Sequence, residues 1–278
     1  MSSLLREKFK LHLPIPSIMP SEWSKEFTPR DNLIFDNLSQ FIFTMSKLTL
    51  KNDSYCGMDY ETSLGMLIRR ESDFPEKEQD TVRNLVRKNL LKRGLITQEV
   101  YENFKYTTDG TNLGYDIGKF AAGEADCVLS PSREYIDFFY ELYVNVSYSG
   151  SIDDSDIRNN VAKLLATVEE LERKHIFIKI VVVDVSVNVA VVEGKGVDMF
   201  IAVPVFSHKD QKSVSTMSSV INERFLRKFS FAISEDLYGS TLSSGYGSAL
   251  SLSNTINIGH ELNEIELFGQ IVKEVGAE

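Results

Sequence analysis

The most constraining feature of this sequence is a nearly unbroken apolar run from Ile176 to Val192, rich in β-branched residues. Such a run is typical of a strand that is buried on both faces. Polar residues interrupt it too often for a membrane-spanning helix, which needs roughly 18 to 20 apolar residues in a row; they are Lys179, Asp184, Ser186 and Asn188. A second run, Val197 to Phe206, follows the glycine-containing segment 193–196. The two runs predict either a hairpin or one bulged strand beside an edge strand.

Strands and helices are predicted to alternate around these two runs. A strand is expected over residues 136–146, followed by a helix from Asp154 to Lys174 whose apolar residues share one face. The later elements are predicted as a helix over Met217–Lys228, strands over Phe229–Ser234 and Thr255–Ile258, and a final helix over Glu261–Val275. This alternation predicts an α/β fold with three layers, in which helices cover both faces of an open, mostly parallel sheet.

The first half of the chain has a different character. Four of the seven prolines fall within residues 1–30, which predicts an extended arm and makes it a candidate to lie on a neighbouring subunit. Residues 31–134 are predicted to form a mainly helical N-terminal region. It begins with a helix from Asp31, as N-cap, to Met45, and continues with a helix from Pro75 to Arg93 and short helices near 98–104 and 115–122. The α/β domain is predicted to occupy residues 135–278.

The charge balance disfavours general binding to nucleic acid. Thirty basic and 40 acidic residues give a net charge of −10, and most of the acidic excess lies in the carboxyl half. A basic stripe on the 75–93 helix is the one candidate contact with phosphate, and the alternative interpretation is an ordinary solvated helix face. The stripe consists of Arg83, Arg87, Lys88, Lys92 and Arg93.

The cysteines and histidines indicate no catalytic or metal motif. Cys56 and Cys127 do not form a CxxC pair, so neither a disulfide framework nor a thiolate zinc site is predicted. The four histidines are widely separated, and no nucleophile lies in a recognisable motif beside one. The first residues lack the continuous apolar core of a secretory signal, so we expect an intracellular protein without a membrane anchor.

The predicted topology places a candidate site where the strands end. In open α/β sheets, ligands gather at the carboxyl ends of the strands. The loops expected there carry hydroxyl, amide and carboxylate oxygens, which are ligands that suit Mg²⁺ or Ca²⁺. The candidate metal ligands are Asn145, Ser147, Ser149, Thr216 (or its neighbour Ser215) and Asp236.

At these residues the chain resembles a von Willebrand factor A domain. In that family the first strand ends in Asp-x-Ser-x-Ser, a threonine comes from a second loop, and an aspartate follows the fourth strand, together forming a metal-ion-dependent adhesion site. Here the motif is Asn145-x-Ser147-x-Ser149, with Thr216 and Asp236 in the other two places. The order of elements over about residues 135–276 also resembles the family. Asn145 replaces a charged ligand by a neutral one, so the resemblance implies a degenerate site that either retains Mg²⁺ or preserves only the fold.

A second resemblance concerns the segments 55–64, 168–172 and 225–231, which look like those of uncharacterised tailed-bacteriophage proteins. This resemblance implies a source and no activity. It leads us to expect a protein located in the cytoplasm of an infected bacterial cell or packaged in a virion.

Three functional hypotheses follow. The leading one is a non-enzymatic protein-interaction module that docks a protein partner through the loops at the carboxyl edge of the sheet, either by completing a Mg²⁺ site or through a polar surface. The second is a phage virion structural or assembly component, a homo-oligomer in which the arm wraps a neighbouring subunit. The third is a divalent-metal-dependent hydrolase or nucleotide-binding protein that uses Glu235, Asp236 and the glycine-rich segment 239–248.

Overall fold

The structure is a computed structural model that describes residues 31–51, 58–71, 75–96, 104–107, 114–115, 119, 121–123, 128–131, 137–149, 152–210, 212, 214–222, 225–239, 246–252 and 255–277. For Asp31 and for residues 104–107, 114–115, 128–131, 214–216 and 226–227, only the backbone is described. The predicted arm over residues 1–30, both cysteines and most of the helix expected near 98–104 lie outside the described residues.

The chain forms a mixed α/β fold with a mostly parallel sheet. The strands are β1 (Asp31–Ile34), β2 (Phe104–Thr107), β3 (Gly114–Tyr115), β4 (Val128–Pro131), β5 (Phe138–Asn145), β6 (Ile176–Val192), β7 (Lys195–Phe206), β8 (Ser248–Ala249) and β9 (Ile256–Asn257). The main sheet has the order β1-β7-β6-β5-β9, and β8 also pairs with β6. The pairs β1–β7, β5–β6 and β5–β9 are parallel, whereas β6–β7 and β6–β8 are antiparallel. A small antiparallel sheet has the order β2-β4-β3.

The described residues include seven α-helices. They are α1 (Leu38–Met45), α2 (Tyr60–Arg69), α3 (Glu76–Lys92), α4 (Asp154–Arg173), α5 (Val214–Val220), α6 (Phe231–Tyr238) and α7 (Glu264–Val275). A π-helix, Phe225–Ser230, leads directly into α6. The helices predicted from Pro75 and from Asp154 are confirmed as α3 and α4, and the final helix is confirmed as α7.

The two apolar runs form a hairpin, as one of the two sequence alternatives predicted. β6 and β7 pair antiparallel and are joined by Glu193 and Gly194, whose φ angles are 53° and 75°. Two consecutive residues with positive φ match the right-handed twist of the flanking strands, and this is why a glycine is favoured here. The pairing register shifts between Ser186 and Ala190, so the hairpin also contains an irregularity.

Alternate residues of the central strands lie in two separate apolar clusters on opposite faces of the sheet. Val182 and Ile201 belong to the larger cluster, whereas Val183 and Phe200 belong to the smaller one. All seven described α-helices and the π-helix contribute buried side chains to the larger cluster. The expectation of helices on both faces is therefore not confirmed for the described residues, whose helices share one face.

Residues on both sides of the expected boundary at 134 meet in this larger cluster. Phe41 on α1 stacks on Phe225 with 5.0 Å between ring centroids, and it meets the edges of Phe35 and Phe229. β1 also adds the N-terminal residues 31–34 to the main sheet beside β7. The apolar side chains of both halves are thus buried together.

Two predictions near these aromatic residues are wrong. Residues 31–34 form a strand, and the first helix begins at Leu38 with Asn37 as its N-cap, because the Asn37 side chain accepts a hydrogen bond from Gln40 N. The strand predicted over Phe229–Ser234 is helical: Phe229 and Ser230 end the π-helix and residues 231–234 begin α6, where Ser234 Oγ donates to the Ser230 carbonyl one turn back. Its β-branched and aromatic composition favoured a strand, but packing against α1 decides in favour of a helix. Tyr115, placed in a helix by the sequence, lies in β3.

Replacement of Phe41 tests whether α1 belongs to the common core. Phe41 is fully buried, so Phe41→Ala should lower the free energy of unfolding by about 3–5 kcal/mol. Phe43→Ala on the same helix is the matched control, because Phe43 is 55% exposed and should lose about 1 kcal/mol or less. Denaturant unfolding followed by circular dichroism measures both. Equal losses in the two variants would contradict the shared core.

Candidate functional site

The carboxyl ends of β5 and β9 lie side by side at one edge of the sheet. β5 has β6 on one side and β9 on the other, so the strand order changes direction at β5, where α/β proteins commonly bind ligands. β6 continues past the end of β5, and β8 then occupies the position beside it. The amide of Leu250 extends this pairing by donating to the carbonyl of Val185 at 3.0 Å.

Asn145 and Ser147, two of the predicted metal ligands, are fully buried at this edge and bond to the protein itself. Asn145 Nδ2 donates to the Leu250 carbonyl at 2.8 Å, and Asn145 Oδ1 accepts from Ser147 N at 2.9 Å. Ser147 Oγ accepts from Val185 N at 2.6 Å and donates to Asp184 Oδ1 at 2.5 Å. These two side chains therefore join the end of β5 to β6 and to the segment after β8.

Asp184 is the acidic residue at the centre of this arrangement, and the sequence interpretation missed it. It is fully buried, and its Oδ1 also accepts from Ser186 Oγ at 3.0 Å. Among the described residues, Oδ2 has no hydrogen-bond partner. Burial raises the pKa of Asp184, while the nearby hydroxyls of Ser147, Ser230 and Ser186 act against this shift. The sequence did contain a signal for this site, namely a single carboxylate in a strand expected to be buried on both faces. The sequence interpretation used Asp184 only as an interruption of the apolar run.

The loop between β9 and α7 is anchored to α4. Asn160 of α4 is buried; its Nδ2 donates to the carbonyls of Ile258 and His260 at 3.0 and 2.8 Å, and its Oδ1 accepts from Leu262 N at 3.1 Å. Gly259 of the same loop lies so close to the β5–α4 loop that an added Cβ would be 2.5 Å from Tyr148 Cβ. The two loops at the carboxyl edge are thus held against each other.

A cleft of about 320 Å³ opens beside this anchored loop. Its polar lining includes Ser251, Asn257, His260 and Glu261. Asn257 Nδ2 donates to Ser251 Oγ at 2.7 Å, and His260 Nε2 is 3.5 Å from the same oxygen. Ser251, His260 and Glu261 are exposed. The cleft therefore offers hydroxyl, imidazole and carboxylate groups to an incoming polar partner.

The structure places the other predicted site residues separately. Ser149 is exposed in the β5–α4 loop, and the backbone of Thr216 lies in α5. Asp236 is half-buried within α6, so it does not follow a strand as predicted. Its neighbour Glu235 accepts hydrogen bonds from Lys51 N at 2.6 Å and from the Tyr246 hydroxyl at 2.7 Å.

No group of three or more histidine, cysteine, aspartate or glutamate side chains that could hold a metal ion is present among the described residues. The Mg²⁺ site stays a prediction. Most of the glycine-rich segment 239–248, namely residues 240–245, lies outside the described ranges.

Part of the basic stripe faces α4. Arg83 contacts Glu169 at 2.8 Å and Asp80 at 2.6 Å, and Arg87 lies 4.0 Å from Glu170. The remaining members, Lys88, Lys92 and Arg93, are exposed. Two of the five cations therefore contact carboxylates of this chain, which would compete with phosphate for them.

The fold and the site define a mixed α/β protein in which anchored loops present polar side chains at the carboxyl edge of a mostly parallel sheet. None of the helices in the described ranges has the length and apolar character needed to cross a membrane. The family described as "Domain of unknown function (DUF7192)" matches residues 25–268, and the chain belongs to this family. Comparison with curated proteins and with solved structures finds no match.

The raised pKa of Asp184 predicts a pH-dependent stability. Because folding raises this pKa above its usual value of 3.8, the stabilisation from the protonated form is complete below that value and is lost as the pH rises through the folded value. Asp184→Asn removes this titration. The free energy of unfolding of the wild type, relative to the variant, should therefore fall as the pH rises from about 4. Urea unfolding across this pH range is the measurement, and a constant difference would contradict the prediction.

Gly259 provides a test of the contact between the two edge loops. Gly259→Ala should destabilise the fold by about 1–3 kcal/mol, because the new methyl group would overlap Tyr148 and Ile152. Gly269→Ala in α7 is the matched control, since an added Cβ meets nothing within 4 Å and alanine favours a helix by about 1 kcal/mol. Thermal or urea unfolding should thus give changes of opposite sign. A neutral effect at Gly259 would show that the loops are not held together.

Proposed function

We propose that this protein is a non-enzymatic interaction module that docks a protein partner through the loops at the carboxyl edge of its sheet. The observation that carries the proposal is the cleft formed by Ser251, Asn257, His260 and Glu261 on anchored loops. A surface of this kind binds well because its side chains are ordered before the partner arrives, which reduces the entropy lost on association.

The buried polar residues of the site support a binding role. Asn160 uses both ends of its amide to hold the β9–α7 loop. Asn145 holds the segment around Leu250 through Nδ2, while its Oδ1 accepts from Ser147 N in the β5–α4 loop. Their hydrogen bonds fix the positions of the exposed groups around the cleft. This division, with buried residues for rigidity and exposed residues for contact, suits recognition of another protein.

Of the two forms of the docking hypothesis, a completed Mg²⁺ site or a polar surface, we propose the polar surface. A Mg²⁺ ion coordinated by Asn145 and Ser147 would have to displace the hydrogen bonds that their oxygens make with Ser147 N, Val185 N and Asp184. Direct hydrogen bonds from the partner to Ser251, His260 and Glu261 require no such rearrangement.

The setting of the interaction is also part of the proposal. The resemblance to tailed-bacteriophage proteins supports a partner that is met in an infected bacterial cell or in an assembling virion. In either setting the partner surface should carry hydrogen-bonding groups and at least one cation, because Glu261 lines the cleft.

Site-specific photo-crosslinking tests the docking surface. A photoreactive amino acid at Ser251 should yield one discrete crosslinked protein in the cells that naturally produce this chain. The same group at Lys209 is the control, because Lys209 is exposed in the turn after β7, at the opposite edge of the sheet. The purified partner should bind Glu261→Lys at least about tenfold more weakly than wild type, as expected for the loss of one charged hydrogen bond.

The result that would overturn the proposal is equal crosslinking from both positions, or none from Ser251. Normal binding of the captured partner to Glu261→Lys would place the interface elsewhere. Unfolding measurements on Glu261→Lys exclude a folding defect, which is not expected because Glu261 is exposed.

A further inference from the structure

A second exposed surface lies at the opposite edge of the sheet, on the face away from the described helices. Phe139 of β5 and Phe177 of β6 are register partners, and their rings stack with 6.0 Å between centroids. His208 meets the edge of Phe139 at 5.2 Å. Phe139 is 58% exposed, which is unusual for a large aromatic side chain within a sheet. These three residues are called the aromatic patch below.

Charges of both signs lie around the aromatic patch. Lys179 contacts Glu141 at 2.9 Å, Asp137 contacts His175 at 3.2 Å, and Lys209 and Asp210 are exposed beside His208. Among the described residues, neither sign therefore dominates the rim. A strongly charged partner would gain little here, so the patch suits an uncharged, apolar segment.

The patch is preformed by a braced turn after β7. Ser207 N bonds Asp210 Oδ2 at 2.6 Å, and Lys212 Nζ donates to the carbonyls of Ser207 and Asp210. Lys212 is itself buried and contacts Glu172 at 2.6 Å. These bonds fix the backbone on both sides of His208, so little ordering is needed when a ligand covers the patch.

We propose that the aromatic patch docks the proline-rich segment Leu13–Pro20 of the same chain. This segment contains Pro14, Pro16 and Pro20 and no charged residue. Proline-rich segments favour the polyproline II conformation and bind surfaces lined with aromatic rings, since little conformational entropy is lost. A rim on which neither sign of charge dominates suits this uncharged segment.

The connection between the two is long enough. Asp31 begins β1 and pairs with Met199 of β7. Phe177 lies toward the other edge of the sheet, three residues before Ile180, which pairs with Phe206. Strand geometry puts Asp31 and Phe177 about 35 Å apart. Fifteen residues separate Pro16 from Asp31, and a chain of that length would span about 47 Å in the polyproline II conformation, which is enough for the segment to reach the patch of its own chain. Covalent linkage also gives an effective concentration in the millimolar range, which favours this occupant over a second copy.

Trp23 is the only tryptophan in this sequence and follows the segment closely, so its fluorescence reports on docking. In Phe139→Ser, the quenching of Trp23 by iodide should rise about twofold, because the segment shifts from mostly docked to mostly free. Replacing Pro14 and Pro16 together by glycine should have the same effect. Leu85→Ser, at an apolar side chain of similar exposure on α3, is the control and should leave quenching unchanged.

Unchanged quenching in Phe139→Ser overturns the proposal, as does an equal change in Leu85→Ser. Quenching of the wild type that falls as protein concentration rises also overturns it, because the occupant would then be the segment of a second copy. Phe139 is exposed, so its replacement should leave the unfolding midpoint unaltered. The test involves the edge opposite the proposed partner surface, and the two proposals can fail independently.

Discussion

The unequal length of two neighbouring strands determines much of this structure. β5 pairs with β6 only as far as Asn145, whereas β6 continues to Val192. The exposed edge of β6 needs a new hydrogen-bonding partner, and β8 provides it. The end of β5 must also be joined to this replacement strand, which Asn145 does through Leu250. The polar residues at the carboxyl edge exist first of all to complete a sheet.

The buried carboxylate of Asp184 is part of the same junction between β5 and β6. Ser147 turns inward where β5 ends, satisfying Val185 N and one oxygen of Asp184. An acid in this position is costly, because burial disfavours its charged form. The hydroxyls of Ser147 and Ser186 offset part of this cost, because both donate to Asp184 Oδ1. A pattern of serines that resembles an adhesion motif therefore has a structural use here.

The elements with strong local signals were predictable from the sequence. α3 and α4 have apolar faces and end charges that determine a helix locally, and the two glycines beside the hairpin turn favour its reversal. The wrong predictions concern segments whose secondary structure depends on contacts with residues far away in the sequence. Residues 31–34 become a strand because β7 offers an edge, and Phe229 lies in a helix because of aromatic contacts with α1. Asn145 and Ser147 were recognised as important, but the role of Asp184 depends on register, and the cleft around His260 depends on loop packing.

The pairing of β1 with β7 has a consequence for how the chain is made. Asp31 lies beside Met199, so the first described strand finds its place only after most of the polypeptide has been synthesised. Contacts between such distant residues slow folding, because a long loop must close before they form. During translation, the apolar residues of α1 that await Phe225 would remain without their partner. Folding of the N-terminal region is thus tied to completion of the chain, and a product truncated before β7 would be expected to attract chaperones or to aggregate.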